Sequence, residues 1–119
     1  MRLVVAMTGA TGAVLGIRLL EMLREISEVE THLVISAWAR STIQWETGQR
    51  AQDVARLADH VYRPGDQAAR ISSGSFQTDG MVVIPCSMKT LAGIRAGYAD
   101  EIVPKLLLVT VVAGIWKFV

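Results

Sequence analysis

The sequence predicts an α/β fold with a doubly wound parallel sheet. Short apolar runs alternate along the chain with stretches in which apolar residues recur at helical spacing. The runs are apolar at successive positions, which is typical of parallel strands covered on both faces by helices. Crossovers between such strands are right-handed, and ligands bind at the carboxyl ends of the strands. The 119 residues are expected to form one domain, 1–119.

The first half of the chain is predicted to contain strand, helix, strand and helix in that order. Residues 2–8 (RLVVAMT) form an apolar run that ends at a glycine, which predicts a buried strand. Apolar residues at helical spacing predict an amphipathic helix over 13–26. Residues 31–35 (THLVI) predict a second strand, and Ser36 is the expected N-cap of a second helix.

The second half is expected to repeat this order. Residues 51–59 predict a short helix, and 62–67, which contain Pro-Gly-Asp, predict a loop. Residues 80–85 (GMVVIP) predict another buried strand, followed by a polar turn and a helix over 91–96. The apolar stretch 106–116 is much shorter than the roughly 20 residues that span a bilayer, so a buried strand is expected there.

Charge and composition argue against several classes of function. Lys and Arg number 12 against 11 Asp and Glu, and the two signs are interleaved, so no basic face for nucleic acid is expected. The first residues lack the pattern of a signal peptide, and the single cysteine cannot form an internal disulfide. A cytoplasmic protein without a membrane segment is expected.

Small or hydroxylated residues stand at three predicted strand-to-helix junctions: residues 8–12 (TGATG), Ser36, and residues 87–90 (SMKT). Parallel strands bring these junctions to one edge of the sheet. Glycines let the backbone approach a ligand, while helix N-termini and hydroxyl groups offer hydrogen-bond donors. Each junction alone is ordinary turn and capping chemistry. The three together favour a phosphorylated ligand.

The spacing of the glycines favours a mononucleotide over a dinucleotide. Gly9, Gly12 and Gly16 form G-x-x-G-x-x-x-G, which differs from the G-x-G-x-x-G fingerprint. The second strand ends at Ser36, where an NAD site usually has an acidic residue. An NAD(P)-binding oxidoreductase is therefore the less favoured alternative.

Four segments resemble the flavin prenyltransferases (the UbiX family, including the B subunits associated with phenolic acid decarboxylases). They are residues 7–20 (MTGATGAVLGIRLL), 31–39 (THLVISAWA), 71–76 (ISSGSF) and 79–100 (DGMVVIPCSMKTLAGIRAGYAD). The resemblance implies a flavodoxin-like, Rossmann-type fold with three α/β/α layers, non-covalent FMN, and a large homo-oligomer, typically a dodecamer. It also implies transfer of dimethylallyl from dimethylallyl phosphate to reduced FMN, which yields prenylated FMN for a partner aromatic acid decarboxylase.

The resemblance also implies roles for particular residues. The expected FMN-binding set is Gly9, Ala10, Thr11, Ser36, Ser87, Met88, Lys89 and Thr90. Glu46 matches a carboxylate near the prenyl site and is the candidate catalytic residue, although an exposed helix residue fits equally well. Ser73 and Ser75 lie in a loop that resembles one near the flavin ring, and both are also ordinary turn residues. No metal is expected.

Residues 101–119 (EIVPKLLLVTVVAGIWKFV) depart from the family pattern. Relatives continue with an Arg-containing helix, a Pro-Arg-Glu motif, and a Tyr and an Arg that hold dimethylallyl phosphate. A leaving phosphate needs cations or donors to stabilise its charge, so this chain is expected to transfer the prenyl group slowly or not at all. The fold is expected to be incomplete at its C-terminal end. The alternative function is an inactive FMN-binding remnant or an accessory subunit of a decarboxylase.

The remaining chemically capable residues are expected to be structural. His32 and His60 have no third metal ligand at a useful spacing along the sequence. Cys86 precedes a helix start, which favours a lowered thiol pKa, but no histidine is placed to act as its base. Trp38 and Trp45 are seven positions apart on one helix and are expected to pack in the core or in an interface.

Overall fold

A parallel four-stranded sheet with intervening helices forms the described part of the chain. The computed structural model describes residues 1–66, 71 and 76–96. The strands are β1 (Arg2–Met7), β2 (Glu30–Ile35), β3 (His60–Tyr62) and β4 (Gly80–Val83), and the helices are α1 (Ala13–Arg24), α2 (Ala37–Thr47), α3 (Ala51–Ala55) and α4 (Met88–Ala96). The strand order is β3-β2-β1-β4, and every neighbouring pair is parallel. The predicted α/β class and parallel sheet are confirmed.

Strand β1 lies inside the described sheet, between β2 and β4. It pairs with β2 on one side, with Val4 opposite His32, and with β4 on the other side, with Val5 opposite Val82. The chain thus leaves β1 toward one side of the sheet and later returns to the other side. Loops that leave in opposite directions open a crevice at the carboxyl ends of the strands, which is where this architecture binds ligands.

The two faces of the sheet bury separate hydrophobic clusters. The first cluster joins β1 and β2 to α1, α2 and α3 through Val5, Met7, Ala13, Ile17, Leu20, Leu33, Ile35, Ala39, Ile43, Ala51 and Val54. The second cluster contains Val4, Ala6, Val34 and Ile71, with Tyr62, Phe76, Met81 and Val83 partly buried against it. Three helices therefore cover one face of the sheet, while Ile71 and Phe76 contact the other face.

Helix α1 is shorter than its apolar pattern predicts and buries only part of that pattern. It ends at Arg24 instead of residue 26. Ile17 and Leu20 are buried in the first cluster, whereas Val14 is 52% and Met22 is 63% exposed. The apolar stripe is therefore wider than the side of the helix that contacts the sheet.

Residues 60–62 correct the sequence prediction. A helix was expected to reach residue 59 and a loop to begin at 62, but α3 ends at Ala55 and residues 60–62 form β3. Strand β3 depends on parallel pairing with β2, in which His32 lies opposite His60. A three-residue strand is too short to carry a recognisable periodicity, so its own sequence does not reveal it.

Helix α4 begins at Met88, three residues before the predicted start at 91. Ser87 Oγ accepts a hydrogen bond from the backbone N–H of Thr90 at 3.2 Å, which is the interaction that an N-cap makes. The polar residues after β4 are therefore the cap and first turn of α4. The predicted strand over 106–116 lies outside the described residues.

The buried histidine His32 is surrounded by polar and aromatic partners. Its Nδ1 lies 2.9 Å from Tyr62 Oη and its Nε2 lies 2.6 Å from Glu30 Oε1, while its ring stacks on His60 with the centroids 4.6 Å apart. Burial lowers the pKa of His32 and outweighs the opposing effect of Glu30. The hydrogen bond with His32 is the main reason that the pKa of Glu30 is lowered.

None of the helices in residues 1–66 and 76–96 has both the length and the apolar character needed to cross a membrane.

Gly16 offers a test of how closely α1 packs against the sheet. A Cβ atom at this position would lie 2.6 Å from the carbonyl oxygen of Ile84 and 2.8 Å from Met7 Cε. Alanine normally stabilises a helix relative to glycine by about 1 kcal/mol. We expect Gly16→Ala instead to lower the free energy of unfolding by about 1–3 kcal/mol in chemical denaturation, because overpacking costs that much.

Gly65→Ala is the control for this prediction, because a Cβ there would meet nothing within 4 Å. It should leave the free energy of unfolding within about 0.5 kcal/mol of the starting protein. An increase in stability for Gly16→Ala would contradict the packing described for α1.

Candidate functional site

A cavity of about 230 Å³ lies at the carboxyl ends of β1, β2 and β4. Its lining consists of Thr8, Gly9, Ser36, Ala37, Trp38, Ser87, Lys89 and Thr90. These residues come from the three strand-to-helix junctions at which the sequence places its small and hydroxylated residues. The parallel sheet has brought segments that are about 30 to 50 residues apart in sequence to one edge.

The N-terminus of α2 forms one wall of the cavity. Ser36 continues the sheet by donating its N–H to the carbonyl of Met7 at 2.9 Å, and its Oγ accepts from the N–H of Ala39 at 3.2 Å. As the first helical residues, Ala37 and Trp38 have N–H groups without a partner inside the helix. These groups and the helix dipole make this wall electropositive.

The N-terminus of α4 forms a second wall with the same character. Ser87 Oγ caps the helix through Thr90 N–H and donates its own hydrogen to Thr90 Oγ1 at 2.9 Å. Met88 and Lys89 occupy the first helical positions, whose N–H groups lack helical acceptors. Lys89 also brings a positive charge to the lining of the cavity.

Thr8 links the loops that follow β1 and β4. Its side chain is buried, and its Oγ1 donates to the carbonyl of Pro85 at 2.7 Å and accepts from the N–H of Ser87 at 2.7 Å. The backbone N–H of Thr8 also donates to the carbonyl of Pro85 at 3.1 Å. One hydroxyl group thus fixes the position of Ser87, and with it the start of α4.

Two glycines allow the loop after β1 to take its path. A Cβ on Gly9 would lie 2.5 Å from Trp38 Cβ, so only glycine lets this loop contact the first turn of α2. Gly12 has φ of 109°, a left-handed conformation that glycine adopts without strain. The glycine pattern therefore serves close packing and a turn into α1.

Glu46 binds the N-terminus of α1. Its carboxylate accepts from the N–H of Gly12 at 3.2 Å and from the N–H of Ala13 at 2.9 Å. Gly12 has no side chain to cap α1, so a residue of α2 supplies the cap. The geometry gives Glu46 a capping role, and its catalytic role remains a prediction.

The cavity is suited to binding an anion. Two helix N-termini, four hydroxyl groups and one lysine face it, and among the described residues that line it there is no carboxylate or histidine. Burial raises the pKa of Cys86, which corrects the expectation that the helix start lowers it. A raised pKa opposes formation of the thiolate, which is the nucleophilic form of cysteine.

Five of the predicted FMN-binding residues line the cavity: Gly9, Ser36, Ser87, Lys89 and Thr90. Ala10 and Thr11 in the loop after β1, and Met88 at the start of α4, do not line it, and Met88 is 77% exposed. Ser73 and Ser75 lie outside the described residues. The prediction for the whole set therefore stays a prediction.

Trp38 and Trp45 are not core residues in the described part of the chain. They are 71% and 77% exposed, and Trp38 lines the cavity. The sequence does contain a signal for the exposure of Trp38, because the residue comes two positions after the N-cap Ser36. It therefore lies in the first turn of α2, at the edge of the sheet where ligands bind. The interface interpretation of Trp45 remains a prediction.

Comparison with known proteins identifies relatives over most of the chain. The Flavoprotein family model matches residues 1–115. A probable UbiX-like flavin prenyltransferase from Escherichia coli O157:H7 is 69% identical over 103 residues, which are 87% of this chain and 52% of the relative. The chain therefore spans about half the length of the curated relatives that it matches.

Two solved structures have the same architecture. A dodecameric FMN-dependent UbiX-like decarboxylase from Escherichia coli O157:H7 gives a TM-score of 0.94 at 64% identity, over 96% of this chain and 62% of that one. AnUbiX (PadA1), solved in complex with FMN and dimethylallyl pyrophosphate, gives a TM-score of 0.91 at 53% identity, over 94% of this chain and 59% of that one. The flavodoxin-like fold class expected from the sequence is confirmed by these neighbours.

Thr8→Val tests the link between the two loops. Valine has nearly the same shape but lacks the hydroxyl, so the carbonyl of Pro85 loses a donor and the N–H of Ser87 loses its acceptor. We expect the free energy of unfolding to fall by about 1–3 kcal/mol, measured by chemical denaturation. Thr8→Ser, which keeps the hydroxyl, should lose less. Thr42→Val, which removes only an exposed hydrogen bond to the carbonyl of Trp38 on α2, should also lose less. Equal stability of Thr8→Val and the starting protein would refute the link.

Substitutions at Glu46 test whether its carboxylate caps α1. If the carboxylate caps α1, Glu46→Ala should lower the free energy of unfolding by about 1 kcal/mol, the usual cost of removing a cap, and Glu46→Gln should lower it less. Gln44→Ala on the same helix is the control. Unchanged stability in both Glu46 variants would show that the capping contacts contribute nothing.

Proposed function

The chain belongs to the Flavoprotein family, and on that premise we propose that it binds FMN with the phosphate group in the cavity between α2 and α4. We further propose that it is a flavin prenyltransferase, which transfers dimethylallyl from dimethylallyl phosphate or pyrophosphate to reduced FMN. Membership is supported by the family match and by relatives described as flavin prenyltransferases. The observation that carries the ligand assignment is the convergence of two helix N-termini on one small cavity.

The size of the cavity favours the phosphate end of FMN. Its 230 Å³ is below the roughly 300–1,000 Å³ of pockets that enclose a whole drug-sized ligand. A phosphate group would accept from Ala37 and Trp38 N–H, from the first N–H groups of α4, and from the hydroxyls of Ser36 and Ser87. To do so, the Ser87 hydroxyl would turn its hydrogen from Thr90 Oγ1 to the phosphate. The flavin ring would then lie outside, over the exposed surface beside Trp38.

The arrangement at α1 favours a mononucleotide over a dinucleotide. In dinucleotide-binding folds the pyrophosphate lies at the N-terminus of the helix that follows the first strand. Here the Glu46 carboxylate already binds Gly12 and Ala13 N–H, so an anion at that position would have to displace it. Ser36, rather than an acidic residue, follows β2. Both features oppose the NAD(P)-binding alternative.

The described residues contribute binding and orientation to the proposed reaction. When bound in its reduced form, FMN would supply N5 and C6 as the atoms that receive the prenyl group. Ser36, Ser87 and Lys89 would hold its phosphate and so fix the position of the ring. Glu46 would hold the loop after β1 against α2 through its contacts with Gly12 and Ala13. The catalytic role that we also propose for Glu46 rests on the family resemblance.

We propose a homo-oligomer as the working form, located in the cytoplasm, with a prenylated-FMN-dependent decarboxylase as the consumer of its product. The UbiX-like decarboxylase from Escherichia coli O157:H7 is dodecameric. Exposed apolar residues on α1 and α2, among them Leu15 and Trp45, would be covered in such an assembly.

A second candidate function is FMN binding without prenyl transfer, as an accessory subunit of a decarboxylase. It is favoured by residues 101–119, whose sequence departs from the flavin prenyltransferase pattern, whereas the described lining of the phosphate cavity lies within residues 8–90. Binding and transfer therefore need separate measurements.

Titration with FMN tests the ligand and its orientation. We expect the purified chain to bind FMN, and Ser36→Ala and Ser87→Ala each to weaken binding about tenfold or more, because a hydrogen bond to a charged group contributes about 1.5–3 kcal/mol. Riboflavin, which lacks the phosphate, should bind weakly and should not distinguish these variants from the starting protein. Ser27→Ala is a surface control that should bind FMN normally.

Incubation with reduced FMN and dimethylallyl phosphate, followed by mass spectrometry, tests the reaction. Prenylated FMN would support the prenyltransferase. Bound FMN without prenylated product would favour the accessory subunit. Failure to bind FMN would refute both.

A further inference from the structure

Three metal-ligating side chains meet near the amino end of the sheet, at the opposite end of β2 from the cavity. Glu30 Oε1 lies 2.6 Å from His32 Nε2 and 3.5 Å from His60 Nε2, and the three ligand atoms all lie within 4.8 Å of one another. We propose that Glu30, His32 and His60 bind a divalent transition-metal ion of the zinc class. This site is independent of the proposed function.

The backbone places these three residues on one face. His32 on β2 is the register partner of His60 on β3, and neighbouring strands lie only about 4.8 Å apart. Glu30 is two residues before His32, so both side chains point to the same side of the sheet. Spacing along the sequence does not suggest this set of three ligands, because β3, which places His60 beside His32, is not evident from its own pattern.

The ligand set suits zinc. Two imidazoles and one glutamate form the protein part of known zinc sites, which leave a fourth position for water. Ligands held at roughly 2.0–2.1 Å in tetrahedral geometry are roughly 3.3 Å apart, and the observed separations of 2.6 Å to at most 4.8 Å bracket that value. The side chains of Glu30 and His60 are 41% and 45% exposed, so both have room to rotate toward an ion beside the fixed ring of His32.

Tyr62 supports His32 as a ligand. Its hydroxyl oxygen lies 2.9 Å from His32 Nδ1. Without an ion, Nε2–H of His32 donates to Glu30 at 2.6 Å. A metal ion would take the place of that proton, and the neutral ring would then carry its proton on Nδ1 and donate it to the Tyr62 oxygen. A hydrogen bond to the second nitrogen is the usual support for a metal-binding histidine, since it fixes the tautomer and the ring orientation.

One cation already faces Glu30. Arg2 Nε lies 3.8 Å from Glu30 Oε1, while the guanidinium also lies over the ring of Phe76, 4.6 Å from its centroid. The ion pair is long and partly exposed, so it holds the carboxylate weakly. A metal ion would replace Arg2 at this oxygen and leave it on Phe76.

A bound ion would fasten an edge strand. Strand β3 has three residues and forms one edge of the described sheet. An ion that joins His60 to Glu30 and His32 would tie β3 to β2 through side chains as well as backbone. An ion that binds only the folded state raises the free energy of unfolding by mass action.

Zinc titration of the tag-free full chain, after treatment with a chelator and dialysis, tests the site. We expect one Zn²⁺ per chain by calorimetry and a rise in melting temperature on zinc addition. His60→Ala and Glu30→Gln should each weaken binding at least tenfold and abolish the rise. Tyr62→Phe should weaken binding about 10- to 100-fold, as changes to supporting residues do. Co²⁺ in place of Zn²⁺ should give the visible spectrum of a tetrahedral site with nitrogen ligands.

Matched controls exclude binding elsewhere and loss of folding. Glu28→Gln, an exposed carboxylate close in sequence, should bind zinc like the starting protein. Circular dichroism of His60→Ala and of the milder His60→Gln checks that the fold persists. The proposal is overturned if the starting chain binds no zinc, or if folded His60 and Glu30 variants bind it with unchanged affinity.

Discussion

The hydroxyl group of Thr8 is the contact on which the candidate site depends. It lies where the loops after β1 and β4 meet, and it satisfies the carbonyl of Pro85 and the N–H of Ser87 at once. Since Ser87 is the N-cap of α4, the position of that helix follows from a residue of the first loop. A buried hydroxyl with both partners satisfied holds such loops in one arrangement, whereas its loss takes the acceptor from the N–H of Ser87 and one of two donors from the carbonyl of Pro85.

Helix N-termini decide where an anion can bind on this sheet. The N-terminus of α1 is neutralised by the carboxylate of Glu46, whereas those of α2 and α4 face the cavity with Lys89. The site is therefore displaced from the position that a dinucleotide fold uses. The glutamate that caps α1 thus occupies the N–H groups of Gly12 and Ala13, which an anion would need in order to bind there.

Local patterns predicted the elements that local forces determine. The apolar runs of β1, β2 and β4 and the cap Ser36 were evident in the sequence, because burial and capping act on neighbouring residues. Features that depend on distant partners were not evident: β3 requires β2, the cap of α1 comes from Glu46 on α2, and the exposure of Trp38 follows from the position of α2 at the rim. Family resemblance selected FMN as the ligand, and spacing alone gave only a phosphate.

A crystal structure of the chain with FMN would show whether the phosphate occupies the cavity between α2 and α4, as we propose. We expect phosphate oxygens within hydrogen-bond distance of Trp38 N–H and of the hydroxyls of Ser36 and Ser87, with Glu46 still bound to Gly12 and Ala13. Phosphate at the N-terminus of α1, with Glu46 displaced, would refute the proposal.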